Sequence, residues 1–166
     1  AGARVPTPGR PRPWEGRHMS ENPRNAELTV DEPIGVMTAD ECWQMLKENE
    51  FGRLAFHLAG EVHITPINYA VDNRTMLFRT AEGNKLLGVV MNADVAFEID
   101  DYTNDTAASV IVRGRARVLE GDEVYRAESL PLRPWVPTMK NVVVEIEPTE
   151  LSGRRFRLDK PWTHLH

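Results

Sequence analysis

The chain has 166 residues, enough for one domain with its own core. A formal charge of −5 argues against a protein whose whole surface binds nucleic acid, and no apolar run approaches the roughly 20 residues needed to cross a bilayer. The single cysteine, Cys42, excludes an internal disulfide and any multi-cysteine metal site, and no apolar signal segment opens the chain, so a cytoplasmic protein is expected.

Residues 1–33 differ from the rest of the chain. They carry Pro6, Pro8, Pro11, Pro13, Pro23 and Pro33, with Arg4, Arg10, Arg12 and Arg17, and show no apolar periodicity. Such a composition buries too little surface to offset chain entropy and reads as a disordered arm. Gly16-Arg17-His18-Met19 resembles a cloning junction or a later start codon. The folded domain is expected over 34–157, with 158–166 as a loose tail.

The domain opens at Ile34-Gly35-Val36-Met37. Thr38, with Glu41 three positions on, forms a capping-box pattern, and a helix over Asp40–Glu48 fits behind it. Cys42, Met45 and Leu46 give that helix an apolar stripe, which makes Cys42 a buried structural thiol. Asn49 is a stop signal.

Strand signals come next. Gly52–Leu58 alternates with Leu54, Phe56 and Leu58 on one face, and Ala59-Gly60-Glu61 is a turn. Val62–Val71 is a second strand, whose Pro66 removes a backbone donor and requires an edge or a bulge. Asp72-Asn73-Arg74 is a hairpin turn into a third strand, Thr75–Thr80. Leu86–Met91 fits a short helix, and Val95–Asp100 a fourth strand. Ala108–Leu119 is long for one strand, and Gly114 marks a bulge or a bend within it. Glu120–Leu130 fits a helix, Pro131–Pro137 a stiff loop with Trp135 at its tip, Asn141–Pro148 another strand, and Leu151–Arg157 closes the domain. About six antiparallel strands in hairpins, with two or three short helices, point to a mainly β small barrel.

The stretch Phe78-Arg79-Thr80-Ala81-Glu82-Gly83-Asn84-Lys85 stands out. A strand ends in Arg79 and Thr80, a turn contains Gly83, and Lys85 opens a helical segment. A guanidinium fork, a hydroxyl, an ammonium and a helix start suit a phosphate group, although a solvated strand end with ordinary surface charges has the same spacing. Thr65, Pro66, Ile67 and Asn68 lie on the neighbouring strand, where backbone groups and the Asn68 amide can read the edge of a flat heterocycle. Trp135 can stack on a ligand or pack in the core. Other chemistry has little support. Of the histidines, His57 and His63 lie on adjacent strands and could face each other, but none has metal-ligand spacing, and no metal is expected. Ser109 lacks the elbow of a hydrolase nucleophile, and no glycine-rich dinucleotide fingerprint or phosphate loop is present.

Gly52-Arg53-Leu54-Ala55, Thr65-Pro66-Ile67-Asn68-Tyr69, Phe78-Arg79-Thr80 with Gly83 and Lys85, Val95–Asp100 and Ser109–Gly114, in that order, resemble the pyridoxamine 5'-phosphate oxidase-like proteins. The resemblance runs from about Gly35 to Arg157. It implies a flavin-binding split β-barrel and a homodimer holding FMN at the subunit interface. On it, Arg79, Thr80 and Lys85 bind the FMN phosphate, and Thr65, Pro66, Ile67 and Asn68 line the ring. Ser109 takes the place where the vitamin-synthesising oxidases carry a flavin-contacting glutamine from the partner subunit, and the loop around Trp135 approaches the site. The end, Arg154-Arg155-Phe156-Arg157, lacks the substrate-phosphate pattern of the true oxidases, which argues against vitamin B6 oxidation. The implied activity is an FMN-dependent oxidoreductase acting on a small molecule. The alternatives are a deazaflavin-dependent reductase of the same fold and a non-catalytic flavin or haem carrier or sensor.

Overall fold

The structure is a computed structural model that describes residues 28–29, 32–81, 93–132 and 142–158. Two tight hairpins start the sheet. β2 (Phe51–Leu58) turns into β3 (Glu61–Asp72) through Ala59 and Gly60, both at positive φ, and β3 turns into β4 (Thr75–Thr80) through Asn73 and Arg74, again both positive. Two consecutive left-handed residues give the turn twist that matches a right-twisted strand pair.

β5 (Ala93–Tyr102) and β6 (Thr106–Val118) make the longest of the hairpins, and β7 (Val142–Arg157) closes the barrel by pairing with β6 on one side and β4 on the other. Starting from β1 (Ile34–Val36), the strand order is β1-β7-β4-β3-β2-β5-β6, with β6 returning to β7, so six antiparallel strands form a ring. β1 is a short strand added to the Arg154–Phe156 stretch of β7. The expected mainly β, antiparallel barrel is what the chain adopts, with seven strands among the described residues.

Proline placement follows from the pairing. β4 meets β3 only over Tyr69–Asp72, so at Pro66 the strand has β2 on one side and no β4 on the other. Pro66 therefore sits where β3 is locally an edge, and its missing N–H breaks no ladder. Pro148, the expected end of a strand, lies instead within β7. The register shifts between Arg113 and Gly114, and Pro148 lies in that bulge opposite Gly114. Gly114 is required there, since a Cβ would lie 2.3 Å from the Glu147 carbonyl oxygen. Glu120–Leu130 winds as a 3-10 helix over Gly121–Ala127.

Helix α1 (Ala39–Glu48) closes one mouth of the barrel. Thr38 and Glu41 form the expected capping box, with Thr38 N–H donating to the Glu41 carboxylate at 2.7 Å and Glu41 N–H to Thr38 Oγ1 at 3.2 Å. Asn49 caps the other end, donating from Nδ2 to the Met45 carbonyl at 2.9 Å. The helix lays Cys42, Trp43, Met45 and Leu46 into the same core as Leu54, Phe97, Val110 and Ile146. The buried Tyr69 hydroxyl donates to the Leu46 carbonyl at 2.8 Å and ties β3 to the helix. Burial pushes the Cys42 thiol up to about 11, as expected for a structural thiol.

The outside of the barrel is covered unevenly. The 3-10 helix packs Ala127, with Leu119 and Leu132, over Ala70, Leu77 and Val143. Beneath it, Arg126 reaches Asp72 at 2.8 Å and Glu145 at 2.7 Å, and Arg117 reaches Glu123 and Glu145. Among the described residues, the outer face of β3, β2, β5 and β6 has no such cover. Val62 and Ile64 are 68% and 70% exposed there, and Phe51, Pro66 and Ile111 are exposed beside them. Among the described residues, no helix is long and apolar enough to cross a membrane.

Candidate functional site

Strand alternation sends three of the predicted residues, Pro66, Asn68 and Ser109, to this outer face. On β3, Tyr69 points into the core, so Pro66 and Asn68 point outward, while Thr65 and Ile67 take the Tyr69 side and are half-buried at the end of the barrel. On β6, Val110 and Val112 point inward, so Ser109 and Ile111 point outward. One register row crosses this face from β3 to β6: Pro66 opposite Arg53, Arg53 opposite Glu98, Glu98 opposite Ile111. Ser109 lies opposite Asp100, two residues along β5 from Glu98.

Arg53 fastens this row. Its Nε donates to Glu98 Oε2 at 3.0 Å and its Nη2 to the same oxygen at 2.5 Å, while Nη2 also contacts Asp100 Oδ1. One guanidinium thus joins β2 to Glu98 and Asp100, two outward carboxylates of β5, between the Thr65–Asn68 segment and Ser109.

Arg79 lies on the other flank. It follows Phe78, the register partner of Tyr69, and sits opposite Val143. Four described arginines are half-buried: Arg53, Arg79, Arg117 and Arg126. Three of them are held by carboxylates. Arg79 has no carboxylate partner among the described residues. A half-buried guanidinium keeps its charge and loses hydration, so an unpaired one fits an anion supplied from outside. Thr80, beside it, is buried.

The structure therefore gathers Thr65, Pro66, Ile67, Asn68, Arg79 and Thr80 on two adjacent strands. It does not bring Ser109 to them within one protomer. Ser109 is three strand spacings from β3, about 14 Å. Lys85 and Trp135, and the helix expected over Leu86–Met91, lie outside the described residues. The described residues end before one gap at Ala81 and begin after another at Val142, the register partner of Thr80.

Two arrangements were not anticipated. The Arg53–Glu98–Asp100 cluster could have been found by continuing the alternation, since Leu54, Phe97 and Ile99 point inward and their neighbours must point out. The buried Glu145, placed within the apolar run Val142–Ile146, was a signal of an ion pair. Its Oε2 lies 2.5 Å from Arg117 Nη2, a close ion pair. One expectation fails. His57 and His63 do not face each other: the register sets His57 opposite Val62 and His63 opposite Phe56, so the two rings take opposite faces. His63 stacks on Phe56 at 5.6 Å between ring centres. Among the described residues, no group of three potential ligands is placed to hold a metal.

A cleft of about 450 Å³ also opens on the outer face, over Ala55, Ala96, Arg113 and Thr149 beside His57 and Val62. No predicted site residue lines it. It lies further along β2 than Arg53, towards the hairpin tip, where β2 and β3 extend past the last β5 pair at Ala55.

Comparison with known proteins places this arrangement. The family model described as pyridoxamine 5'-phosphate oxidase matches residues 38–155. An uncharacterised Mycobacterium tuberculosis protein is 32% identical over 149 residues, covering 85% of this chain and 97% of its own length. The FAD binding protein from Mycobacterium smegmatis is 43% identical and superposes with a TM-score of 0.70 over 75% of this chain and 100% of that one. A Corynebacterium glutamicum protein with a provisional pyridoxamine 5'-phosphate oxidase assignment is 38% identical, with a TM-score of 0.72 over 80% of this chain and 99% of that one.

Proposed function

Since the chain belongs to the pyridoxamine 5'-phosphate oxidase family, we propose that it is a flavin-dependent oxidoreductase that works as a homodimer on a small-molecule substrate. The observation that carries this reading is Arg79, half-buried and without a carboxylate partner among the described residues. It ends the strand next to the Thr65–Asn68 segment, as a phosphate ligand next to a ring-binding strand should. FMN fits this donor set. Arg79 offers a fork of donors to the phosphate, Thr80 adds its hydroxyl, and Lys85 adds a cation from the segment beyond β4. The Asn68 amide and the open edge of β3 at Pro66 offer donors and acceptors to the ring.

When bound, the flavin supplies two-electron redox chemistry. The protein orients the ring, keeps water from one face and sets the local charge. Ser109 is three strands away in one protomer, so its proposed role is toward the ring held by a second copy. The uncovered face with Phe51, Val62, Ile64 and Ile111 supports that dimer, because a monomer seldom leaves so many large apolar residues together in water. Trp135 is proposed to approach the ring from the loop before β7.

A second cofactor reading has its own support. The Mycobacterium smegmatis relative at 43% identity is a FAD binding protein, and FAD presents the same flavin with a longer phosphate tail. The deazaflavin coenzyme and a non-catalytic flavin or haem carrier are the other options. Titrating the purified protein with FMN, FAD and the deazaflavin coenzyme, and following the visible spectrum, tests the group. Turnover of reduced cofactor with candidate acceptors then separates an oxidoreductase from a carrier. FMN or FAD is expected to bind with a spectral shift; no response to any flavin would sink the proposal.

A further inference from the structure

We propose that Arg53 is a positioning residue for the redox state of the bound flavin: by holding Glu98 and Asp100, it limits the negative charge that the reduced ring meets. This inference rests on the flavin reading above.

Three observations carry it. Arg53 is the register partner of Pro66, inside the segment assigned to the ring, so its strand adjoins the ring-binding strand at that point. Its guanidinium engages two neighbouring outward carboxylates of β5, Glu98 through Nε and Nη2 and Asp100 through Nη2. Asp100 is in turn the register partner of Ser109, the residue assigned to the partner subunit's ring. The Arg53 cluster thus lies between the two strands that the flavin reading uses, with its side chains partly exposed on the outer face. Glu98 and Asp100 share one face of one strand, about 7 Å apart along it. Without Arg53 they would be two adjacent like charges on a face that buries against a partner, where charges are screened less.

The consequence is electrostatic. Reduction adds two electrons and one proton to the neutral ring and leaves it with one negative charge. With Arg53 in place the cluster carries a formal charge of −1; without it, −2. The added charge disfavours the reduced ring and leaves the oxidised ring nearly unaffected. By linkage, weaker binding of the reduced form lowers the potential. Removing one carboxylate has the opposite sign.

The test is a pair of variants of the full chain, Arg53→Met and Asp100→Asn, loaded with FMN and reduced with dithionite against a reference dye. The ratio of oxidised to reduced FMN affinity is read from the shift in potential. Arg53→Met is expected to weaken the reduced form about tenfold more than the oxidised form, and Asp100→Asn to shift the ratio the other way. Loss of packing alone would weaken both forms together and would not reverse sign between the variants. Equal ratios in wild type and both variants, with FMN bound, overturn the role of Arg53 and leave the flavin reading standing. A wild type that binds no flavin overturns both.

Discussion

Arg126 donates from Nη2 to Glu145 Oε1 at 2.7 Å, and Glu145 is only 2% exposed. The same guanidinium donates to Asp72 at 2.8 Å and to Thr75 Oγ1 at 3.3 Å, so one side chain of the 3-10 helix clamps the β3–β4 turn to β7. Arg117 completes the cluster, and hydrogen bonding to Glu123, foremost, holds it more firmly protonated than an ordinary arginine.

Glu145→Ala leaves two half-buried guanidinia with less compensation. It is expected to destabilise the fold by about 3 kcal/mol, since removing one member of a buried ion cluster strands the others. Urea unfolding checks this: the midpoint should fall with little change in slope. A loss under about 0.5 kcal/mol, the range of ordinary surface changes, would mean that the cluster is only a surface decoration.

Gly114→Ala sets a methyl group against the Glu147 carbonyl oxygen, which is backbone and cannot swing aside. A cost of about 1–3 kcal/mol is expected from the forced shift at the bulge. Thermal unfolding of this variant beside Gly60→Ala separates crowding from backbone strain, because Gly60 has open space around it but a φ of +84°.

Alkaline pH should weaken the fold. The Cys42 thiol is pushed up to about 11 from an ordinary 9, foremost by burial, and burial also raises the Tyr69 hydroxyl. Both groups hold their protons more tightly when folded than when unfolded. The folded chain therefore binds more protons between about pH 9 and 11, and its stability falls as pH rises through that window. Tyr69→Phe should lose about 1 kcal/mol at neutral pH, with the hydrogen bond to Leu46, but show a shallower alkaline decline. Denaturant midpoints measured from pH 7 to pH 11 read both effects. Native Cys42 should also resist a thiol reagent at pH 8 until the chain unfolds.

Strand alternation made the barrel legible. Leu54 and Phe56 alternate with Arg53, Ala55 and His57, Phe97 and Ile99 alternate with Ala96, Glu98 and Asp100, and both sets are buried as that pattern requires. Thr38 and Glu41 announced α1. The continuity of β7 through Pro148 was hidden, because it depends on the bulge opposite Gly114 on a strand far away in sequence. The opposed histidines fail because pairing two strands does not set their register, and a one-residue difference moves a side chain to the other face. The site was legible in part. Arg79 and the Thr65–Asn68 segment lie on adjacent strands, but that Arg79 has no carboxylate partner among the described residues while Arg53 holds two follows only from the fold.

The most direct test of the flavin phosphate at Arg79 is a fluorescence titration with FMN and with riboflavin, which lacks the phosphate, on wild type and Arg79→Ala. Wild type should bind FMN at least about tenfold more tightly than riboflavin, the scale of one charge-assisted contact. Arg79→Ala should lose most of that difference while riboflavin affinity holds. Equal affinity of wild type for the two ligands, or a preference that survives in Arg79→Ala, would contradict the account.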